Sequence, residues 1–128
     1  SELYLDPKAF LTDCHTYSGG FDCCQKLLDS SIDLPDAIIV ESDMIALGVL
    51  KSLVRRGIDV PENILLSGYD NTDISAMSNP SLTSVHIPLE EICLSALNML
   101  WAMMQGETVS PVIFHTDLEI RTSTMPPK

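Results

Sequence analysis

Basic residues are scarce in this chain. Its 128 residues include 7 lysines and arginines against 18 aspartates and glutamates, which gives a formal net charge of −11. Binding to a phosphate backbone needs clustered cations, and only Arg55 and Arg56 form an adjacent basic pair. Direct contact of this chain with a nucleic acid is therefore not expected. An excess of acidic residues more often keeps a protein soluble than forms part of a functional site.

Long apolar runs are also missing. No run approaches the roughly 18 residues that a membrane-spanning helix needs. Residues 1–10 carry two acids and a proline, which is not the pattern of a secretory leader. The sequence therefore predicts a cytoplasmic protein with no membrane partner.

Cysteine is limited to four positions, Cys14, Cys23, Cys24 and Cys93. Adjacent Cys23 and Cys24 cannot easily bridge each other, and no C-x-x-C pair exists for zinc or redox chemistry. We expect buried free thiols, as is typical of a reducing cytoplasm. His15 beside Cys14 adds too few ligands for a structural zinc, which takes four. The sequence predicts no metal site and no cofactor.

Apolar residues, by contrast, make up 45% of a chain long enough for one domain with a real core. Helices are predicted over 18–29 (with Ser18 as N-cap), 42–56, 73–77 and 88–104, and strands over 37–40, 64–66, 82–86, 112–114 and 118–120. The run 37–40 is apolar throughout, which suits a strand buried on both faces. The alternation predicts an α/β fold with a mostly parallel sheet.

Two predicted helices carry more apolar surface than a single core requires. Helix 42–56 has one stripe expected to face the sheet (Ala46, Val49, Leu50, Leu53) and a second beside it (Met44, Leu47, Val54). Helix 88–104 is apolar nearly all round, which indicates a helix covered on several sides. That cover comes either from a missing domain or partner subunit, or from the chain's own core.

Polar side chains follow the predicted strands at the edge where parallel sheets bind ligands. They are Asp13, His15, Ser42, Asp43, Tyr69, Asp70 and Asn71. Such groups suit a polyol or a heterocycle with several hydrogen-bond donors. Ser42 and Asp43 also fit a simple helix cap with an acidic first turn. Asp70 is harder to explain in that way, because no helix begins for three residues after it.

Enzyme chemistry finds little support in the sequence. Ser42 stands between a strand and a helix, as a nucleophile can, but no glycines flank it and the two neighbouring carboxylates oppose a developing negative charge. A phosphoacceptor receiver domain fits the length and the alternation, and it is the alternative function. That domain needs a lysine at a late strand end, and none of the four lysines (Lys8, Lys26, Lys51, Lys128) ends a predicted strand.

Several segments, in order and at matching spacing, resemble the LacI/GalR family of transcriptional regulators. Residues 35–48, PDAIIVESDMIALG, resemble the family's PDAIF-x-x-[NS]D-x-x-ALG. The other matches are RGIDVPENI at 56–64 to RGI-x-VPEDI, SGYDN at 67–71 to GYDN/GFDD, PSLTSVHIPL at 80–89 to PPLTTVRQPL, and LEIRTST at 118–124 to LVVR-x-ST. YSGGF at 17–21 is more loosely similar to ESGY. The matches cover nearly the whole chain from Asp13.

The resemblance implies a type I periplasmic-binding-protein-like fold, in which two α/β lobes flank a cleft. Residues 1–128 are then a single partial effector-binding domain, mainly the C-terminal three-layer lobe, with helix 88–105 packed on the missing N-terminal lobe. A non-enzymatic module of a bacterial regulator is expected, with a sugar or another small polar metabolite in the cleft. DNA would be bound only through an N-terminal head.

The same resemblance implies particular site residues. The family's effector contacts map to Ser42 and Asp70, and Asp43 beside Ser42 is included in the predicted site. Cys14 is also included in the predicted effector site, at the position that aligns with an aromatic ring of the family. A glutamine of the family aligns with Ile87, so two side chains expected at the site are replaced here. The arginine that clamps the effector in the family falls upstream of Ser1.

The resemblance also implies a homodimer, because two recognition heads must be held at a fixed half-site spacing. Family members dimerise through the helix that matches 42–56 and the loop after the next strand. The second stripe of that helix, Met44, Leu47 and Val54, and the loop residue Met77 are therefore the predicted dimer interface, and Ile74 in the same loop adds to its apolar surface. A symmetric pair would bring each Leu47 to a self-complementary apolar patch.

Overall fold

The computed structural model describes residue 12, residues 14–30 and residues 32–125. The helices are α1 (Tyr17–Leu28), α2 (Asp43–Arg55), α3 (Asp73–Met77) and α4 (Leu89–Met104). The strands are β1 (Ala37–Ile39), β2 (Leu65–Asp70), β3 (Thr83–His86) and β4 (Asp117–Glu119), followed by a 3-10 turn over Thr122–Thr124. Within these ranges, no helix is both long and apolar enough to cross a membrane.

The four strands form one mixed sheet in the order β1-β2-β3-β4. The first three strands are parallel, with Ile38 opposite Leu66 and Gly68 opposite Ser84, and β4 runs antiparallel to β3. The predicted α/β fold with a mostly parallel sheet is confirmed. The predicted strand 112–114 is wrong, because that segment follows α4 without joining a described ladder and the chain pairs with β3 only from residue 117.

Helix α1 begins one residue earlier than the sequence predicts. Thr16 is the N-cap: its backbone is extended and its Oγ1 accepts a hydrogen bond from the Gly19 amide at 3.0 Å. The prediction of Ser18 as the cap is therefore wrong. Thr16 lies two residues closer to the loop, where its hydroxyl reaches a free amide of the first turn.

Helix α2 is the centre of the core and packs between α1 and the sheet. Its predicted core stripe is confirmed, since Ala46, Val49, Leu50 and Leu53 are all buried. Two glycines allow the close approach of α1 and α2. A Cβ atom on Gly48 would overlap the carbonyl oxygen of Tyr17, and one on Gly20 would overlap that of Ile45.

Strand β1 and helix α4 both leave apolar side chains uncovered in the described part of the chain. Ile39 in the edge strand β1 is 83% exposed, so the prediction that this strand is buried on both faces is wrong. Only the face under α2 is packed, where Ile38 meets the core. Helix α4 buries none of its residues. Its exposed apolar side chains are Leu89, Leu94, Leu97, Leu100, Trp101, Met103 and Met104.

The exposure of α4 bears on the two sources of cover that the sequence left open. The described core of this chain does not cover the helix. Packing of α4 on an upstream lobe remains a prediction.

Candidate functional site

The carboxyl ends of β1, β2 and β3 lie side by side at one edge of the sheet, because these strands are parallel. Ser42 follows β1, while Asp70 ends β2 and is paired in register with His86 at the end of β3. The loop before α1 reaches the same edge, since His15 Nδ1 lies 3.3 Å from Glu41 Oε1. Ligands of open parallel sheets bind at such an edge.

Asp43 is buried next to this edge and stabilises it through hydrogen bonds. It is 0% exposed, and its two carboxylate oxygens accept three hydrogen bonds. The donors are the Thr72 amide at 2.7 Å, the Thr72 hydroxyl at 2.9 Å and the Ser84 hydroxyl at 2.6 Å. The prediction that Asp43 lies on the polar rim is wrong. The carboxylate joins the start of α2 to the loop after β2 and to β3, so its hydrogen-bonding capacity is used inside the protein.

The turn after β2 has an unusual backbone. Asp70 and Asn71 both have positive φ, of 102° and 53°. The Asn71 amide donates to Ser84 Oγ at 3.0 Å, and its side-chain Nδ2 lies 3.2 Å from His86 Nδ1. Residues other than glycine persist in this conformation only where surrounding contacts impose it, and they concentrate at functional sites. The turn leaves the Asp70 side chain exposed at the sheet edge.

The environment of Asp70 favours ligands that donate hydrogen bonds. Partial burial raises the pKa of Asp70 above its ordinary value, and the negative charge of Asp43 raises it further. Because Asp70 is still largely in contact with solvent, water screens both effects. A hydroxyl or amino group that donates to the Asp70 carboxylate relieves the repulsion between the two acids.

Arg121 is the residue that sequence reasoning missed. One guanidinium nitrogen donates to the Leu82 carbonyl at 2.7 Å and to Ser75 Oγ at 2.9 Å, and the other donates to Asn71 Oδ1 at 2.5 Å. It thereby joins the Asp70–Asn71 turn to α3 and β3. The only signal was the arginine in LEIRTST, the segment that resembles the end of the family pattern, and it suggested no role.

The other predicted site positions have different environments. Ser42 is the N-cap of α2, yet its side chain makes no capping hydrogen bond within the described structure, so the cap does not account for its hydroxyl. Tyr69 is exposed next to Asp70. Asp13 lies outside the described residues. Direct effector contacts of Ser42 and Asp70 remain predictions.

Cys14 is bonded to Cys23 by a disulfide, with the two Cα atoms 6.4 Å apart. The expectation of free thiols is wrong for this pair, because the loop before α1 folds back onto the second turn of the helix. It holds for Cys24, which is free and buried, whereas Cys93 is free but exposed, so burial is wrong for that thiol. Burial raises the pKa of the Cys24 thiol, although a hydrogen bond with Ser52 and the charge of Arg56 oppose the increase.

The sheet edge is open. A shallow depression of about 380 Å³ lies beside His86, lined also by Pro88, Glu91, Ile113, Phe114, His115 and Asp117. In the described chain, no three His, Cys, Asp or Glu side chains are grouped so that they could hold a metal ion. The edge offers hydrogen bonds without enclosing a ligand.

The predicted interface residues form an apolar surface on α2 and α3, which we call the α2–α3 patch. Its members are Met44, Leu47, Val54, Ile74 and Met77. Met77 is 82% exposed, and Met44, Val54 and Ile74 are also exposed. Leu47 is half-buried and packs partly against the core of its own lobe. Contact of this patch with a second subunit is a prediction that this single chain does not test.

Comparisons with known proteins agree on one family. The model of the periplasmic binding protein-like domain matches residues 2–124. Catabolite control protein A of Priestia megaterium is 38% identical over 112 residues, which cover 86% of this chain and 33% of that protein. The HTH-type transcriptional repressor CytR of Escherichia coli K12 is 34% identical over 124 residues, which cover 95% of this chain and 36% of that protein. The chain thus spans about a third of the length of these relatives.

A solved structure gives the same result for the fold. A sugar-binding transcriptional regulator of the LacI family from Escherichia coli, complexed with phosphate, superposes with a TM-score of 0.85 at 29% identity. The match covers 98% of this chain and 45% of that one. CytR and this neighbour are regulators of transcription rather than enzymes, and the receiver-type alternative finds no support among them.

Proposed function

Since the chain belongs to the periplasmic-binding-protein-like family of LacI/GalR-type transcriptional regulators, we propose that it senses a sugar or another small polar metabolite at the carboxyl edge of its sheet. The observation that carries this proposal is the Asp70–Asn71 turn. It is held in a positive-φ conformation by hydrogen bonds to Ser84 and Arg121, and it leaves a carboxylate at the sheet edge.

The residues at this edge divide into contacts and supports. Asp70 and Ser42 are the proposed contacts, because the first is an exposed acceptor and the second has no capping bond to occupy its hydroxyl. Asp43 and Arg121 are the proposed supports, because their polar atoms bond to protein groups. Cys14 lies beside this site in the loop before α1. A neutral sugar suits the arrangement, since its hydroxyls both donate and accept.

Replacing Asp70 with asparagine should weaken effector binding without weakening the fold. The substitution removes a charged acceptor, and such hydrogen bonds are worth about 1.5–3 kcal/mol, or roughly a 10- to 150-fold loss of affinity. Asparagine tolerates positive φ, so the turn should persist. The measurement is calorimetric titration of the protein that carries both lobes with neutral monosaccharides and disaccharides.

The stability of the same variant provides the control. Folding raises the pKa of Asp70, so its charged form costs stability at neutral pH, and that cost disappears below the ordinary pKa. Asp70→Asn should therefore be as stable as the wild type at pH 7, or slightly more so. Unchanged affinity in the variant for a sugar that the wild type binds would remove Asp70 from the site.

We propose that α4 and the second wall of the cleft are completed by an upstream lobe. A helix of sixteen residues with no buried member needs a covering partner, because its apolar side chains gain free energy only when they leave water. The whole protein is then a bacterial cytoplasmic regulator that contacts DNA through a separate N-terminal head. The net charge of −11 on this chain agrees with DNA contact through a separate head, because binding to a phosphate backbone needs positive charge.

We further propose that the α2–α3 patch is a homodimer interface. It is apolar and exposed, and it belongs to two elements that contact each other. Leu47 is a predicted interface residue, but it packs partly against the core, so a charge there would also destabilise the lobe itself. Met77 gives the sharper test because most of its surface is exposed.

Changing Met77 to arginine should convert the dimer into folded monomers. The buried, unpaired guanidinium would cost about 2–4 kcal/mol of association, or a roughly 30- to 1,000-fold weaker dimer. Sedimentation equilibrium on the two-lobed protein measures association, and circular dichroism measures folding. Leu34→Arg, at an exposed apolar residue outside the patch, is the matched control. A Met77→Arg variant that remains a tight dimer would contradict the proposed interface.

A further inference from the structure

The disulfide joins two parts of the molecule that differ in accessibility. Cys14 is half-buried in the loop before α1, and Cys23 is buried on the second turn of that helix. The loop lies tightly on the helix, since a Cβ atom on Gly19 would come within 3.2 Å of the Cys14 backbone. The Cys14 backbone is therefore packed closely against the first turn of the helix that carries Cys23.

The bonded loop belongs to the proposed effector site. Cys14 is followed by His15, whose imidazole meets Glu41 directly before Ser42. The disulfide thus fixes the part of the rim that lies nearest the start of α2. While the bond is closed, the Cys14 sulfur is held by Cys23 on the helix.

The other thiols are poorly placed to compete for Cys14. Cys24 is next to Cys23 but is 1% exposed, packs in the core and contacts Ser52. Burial keeps such a thiol protonated and unreactive. Cys93 is exposed on α4, an element apart from the α1 loop. The fold therefore selects Cys23 as the partner of Cys14.

We propose that Cys14 and Cys23 are a reversible oxidation site, which hydrogen peroxide closes and a small thiol reopens. The Cys14 thiolate attacks one peroxide oxygen, the O–O bond breaks, and Cys14 becomes a sulfenic acid with release of water after proton uptake. The Cys23 sulfur then attacks the Cys14 sulfur and expels a second water. In sum, two thiols and one peroxide give one disulfide and two waters. Two small thiols reverse the step and leave as their own disulfide.

The proposal that the Cys14–Cys23 bond opens and closes reversibly rests on the proposed function. A regulator that acts on DNA inside a bacterial cell meets a reducing thiol pool, where disulfides are usually transient and redox-sensing rather than structural. The half-exposed Cys14 gives a reductant access to the bond. Reduction removes the covalent link between the rim loop and α1 and leaves only their packing contact, so the oxidation state sets how firmly one side of the effector site is held.

The test needs no effector, so its failure and the failure of the sugar-binding proposal can be told apart. The 128-residue chain, with Cys93→Ser, is reduced with dithiothreitol, freed of it and treated with hydrogen peroxide. We expect a mass loss of about 2 Da, restored by fresh dithiothreitol under native conditions. A protease that cleaves before aspartate places Cys14 and the Cys23-Cys24 pair on separate peptides, because Asp13 and Asp22 precede them. The linked peptides then show that Cys14 is bonded to Cys23 or Cys24, and fragmentation of the peptide between Cys23 and Cys24 identifies which.

Two neighbouring substitutions make the result specific. Cys23→Ser should abolish closure, and Cys24→Ser should retain it. Reduction should lower the thermal unfolding midpoint of the Cys24→Ser variant by roughly 5–15 °C, because the closed loop restrains the unfolded chain, and should leave Cys23→Ser unchanged. The proposal is overturned if peroxide leaves both thiols free, if Cys24 becomes the partner in the otherwise unaltered chain, or if dithiothreitol cannot open the bond in the folded protein.

Discussion

Changing Asp43 to alanine should lower the free energy of unfolding by about 3–5 kcal/mol. The substitution removes three hydrogen bonds to a buried carboxylate and deprives the Thr72 amide and the Thr72 and Ser84 hydroxyls of their acceptor, and Ser84 is fully buried. Bonds to charged groups are worth about 1.5–3 kcal/mol each, and their losses add incompletely when they share one acceptor. Urea denaturation followed by circular dichroism measures the effect.

The matched control is Asp22→Ala on α1, which removes an exposed helical aspartate. It should change the stability by no more than about 0.5 kcal/mol. If Asp43→Ala costs less than about 1 kcal/mol, Asp43 does not support the sheet edge in the way the hydrogen bonds indicate. The conformation of the Asp70–Asn71 turn would then have to be stabilised by other contacts.

Changing Gly48 to alanine should cost about 3 kcal/mol, although alanine is the better helix former. A methyl group there would occupy the space of the Tyr17 carbonyl oxygen and press on the Phe21 amide, so α1 and α2 must move apart. Forcing atoms into a well-packed contact costs about 1–3 kcal/mol and sometimes more. Here the obstacle is backbone, which cannot rotate away as a side chain can.

Gly19→Ala provides the comparison within the same pair of helices. Its added methyl would lie 3.2 Å from the Cys14 backbone and from Thr16 Oγ1, a tight but nearly tolerable contact. The gain in helix propensity, up to about 1 kcal/mol, should offset most of that strain. Equal thermal unfolding midpoints for the Gly48 and Gly19 variants would show that the α1–α2 approach is softer than the geometry indicates.

Much of the fold follows from the spacing of apolar residues. The stripe of Ala46, Val49, Leu50 and Leu53 predicts which face of α2 meets the sheet, and the structure buries it. Exposure of β1 could not be predicted in this way. An apolar run such as 37–40 shows that both faces of the strand are able to be buried. Whether they are buried depends on the position of the strand in the sheet, and that position depends on which other elements are present.

The site was predicted less completely because its order depends on contacts distant in sequence. The sequence around Asp43 indicates an acid in the first turn of a helix, which is commonly an exposed position. Its burial follows from Thr72, 29 residues later, and Ser84, 41 residues later. The disulfide has a similar cause. Cys14 could face either of two adjacent cysteines, and only the path of the loop over α1 selects Cys23.

The position of Arg121 has a consequence for the order in which the chain can fold during synthesis. Arg121 bonds to Asn71, which precedes it by 50 residues, and Ser123 Oγ donates to the Leu66 carbonyl at 2.6 Å. On the ribosome, α1, α2, β2 and β3 emerge before these last contacts exist. The helical layer can therefore form first, while the turn that carries Asp70 waits for the residues that secure it. A nascent chain stalled before residue 121 would hold a packed α1–α2 layer and an unfinished ligand edge.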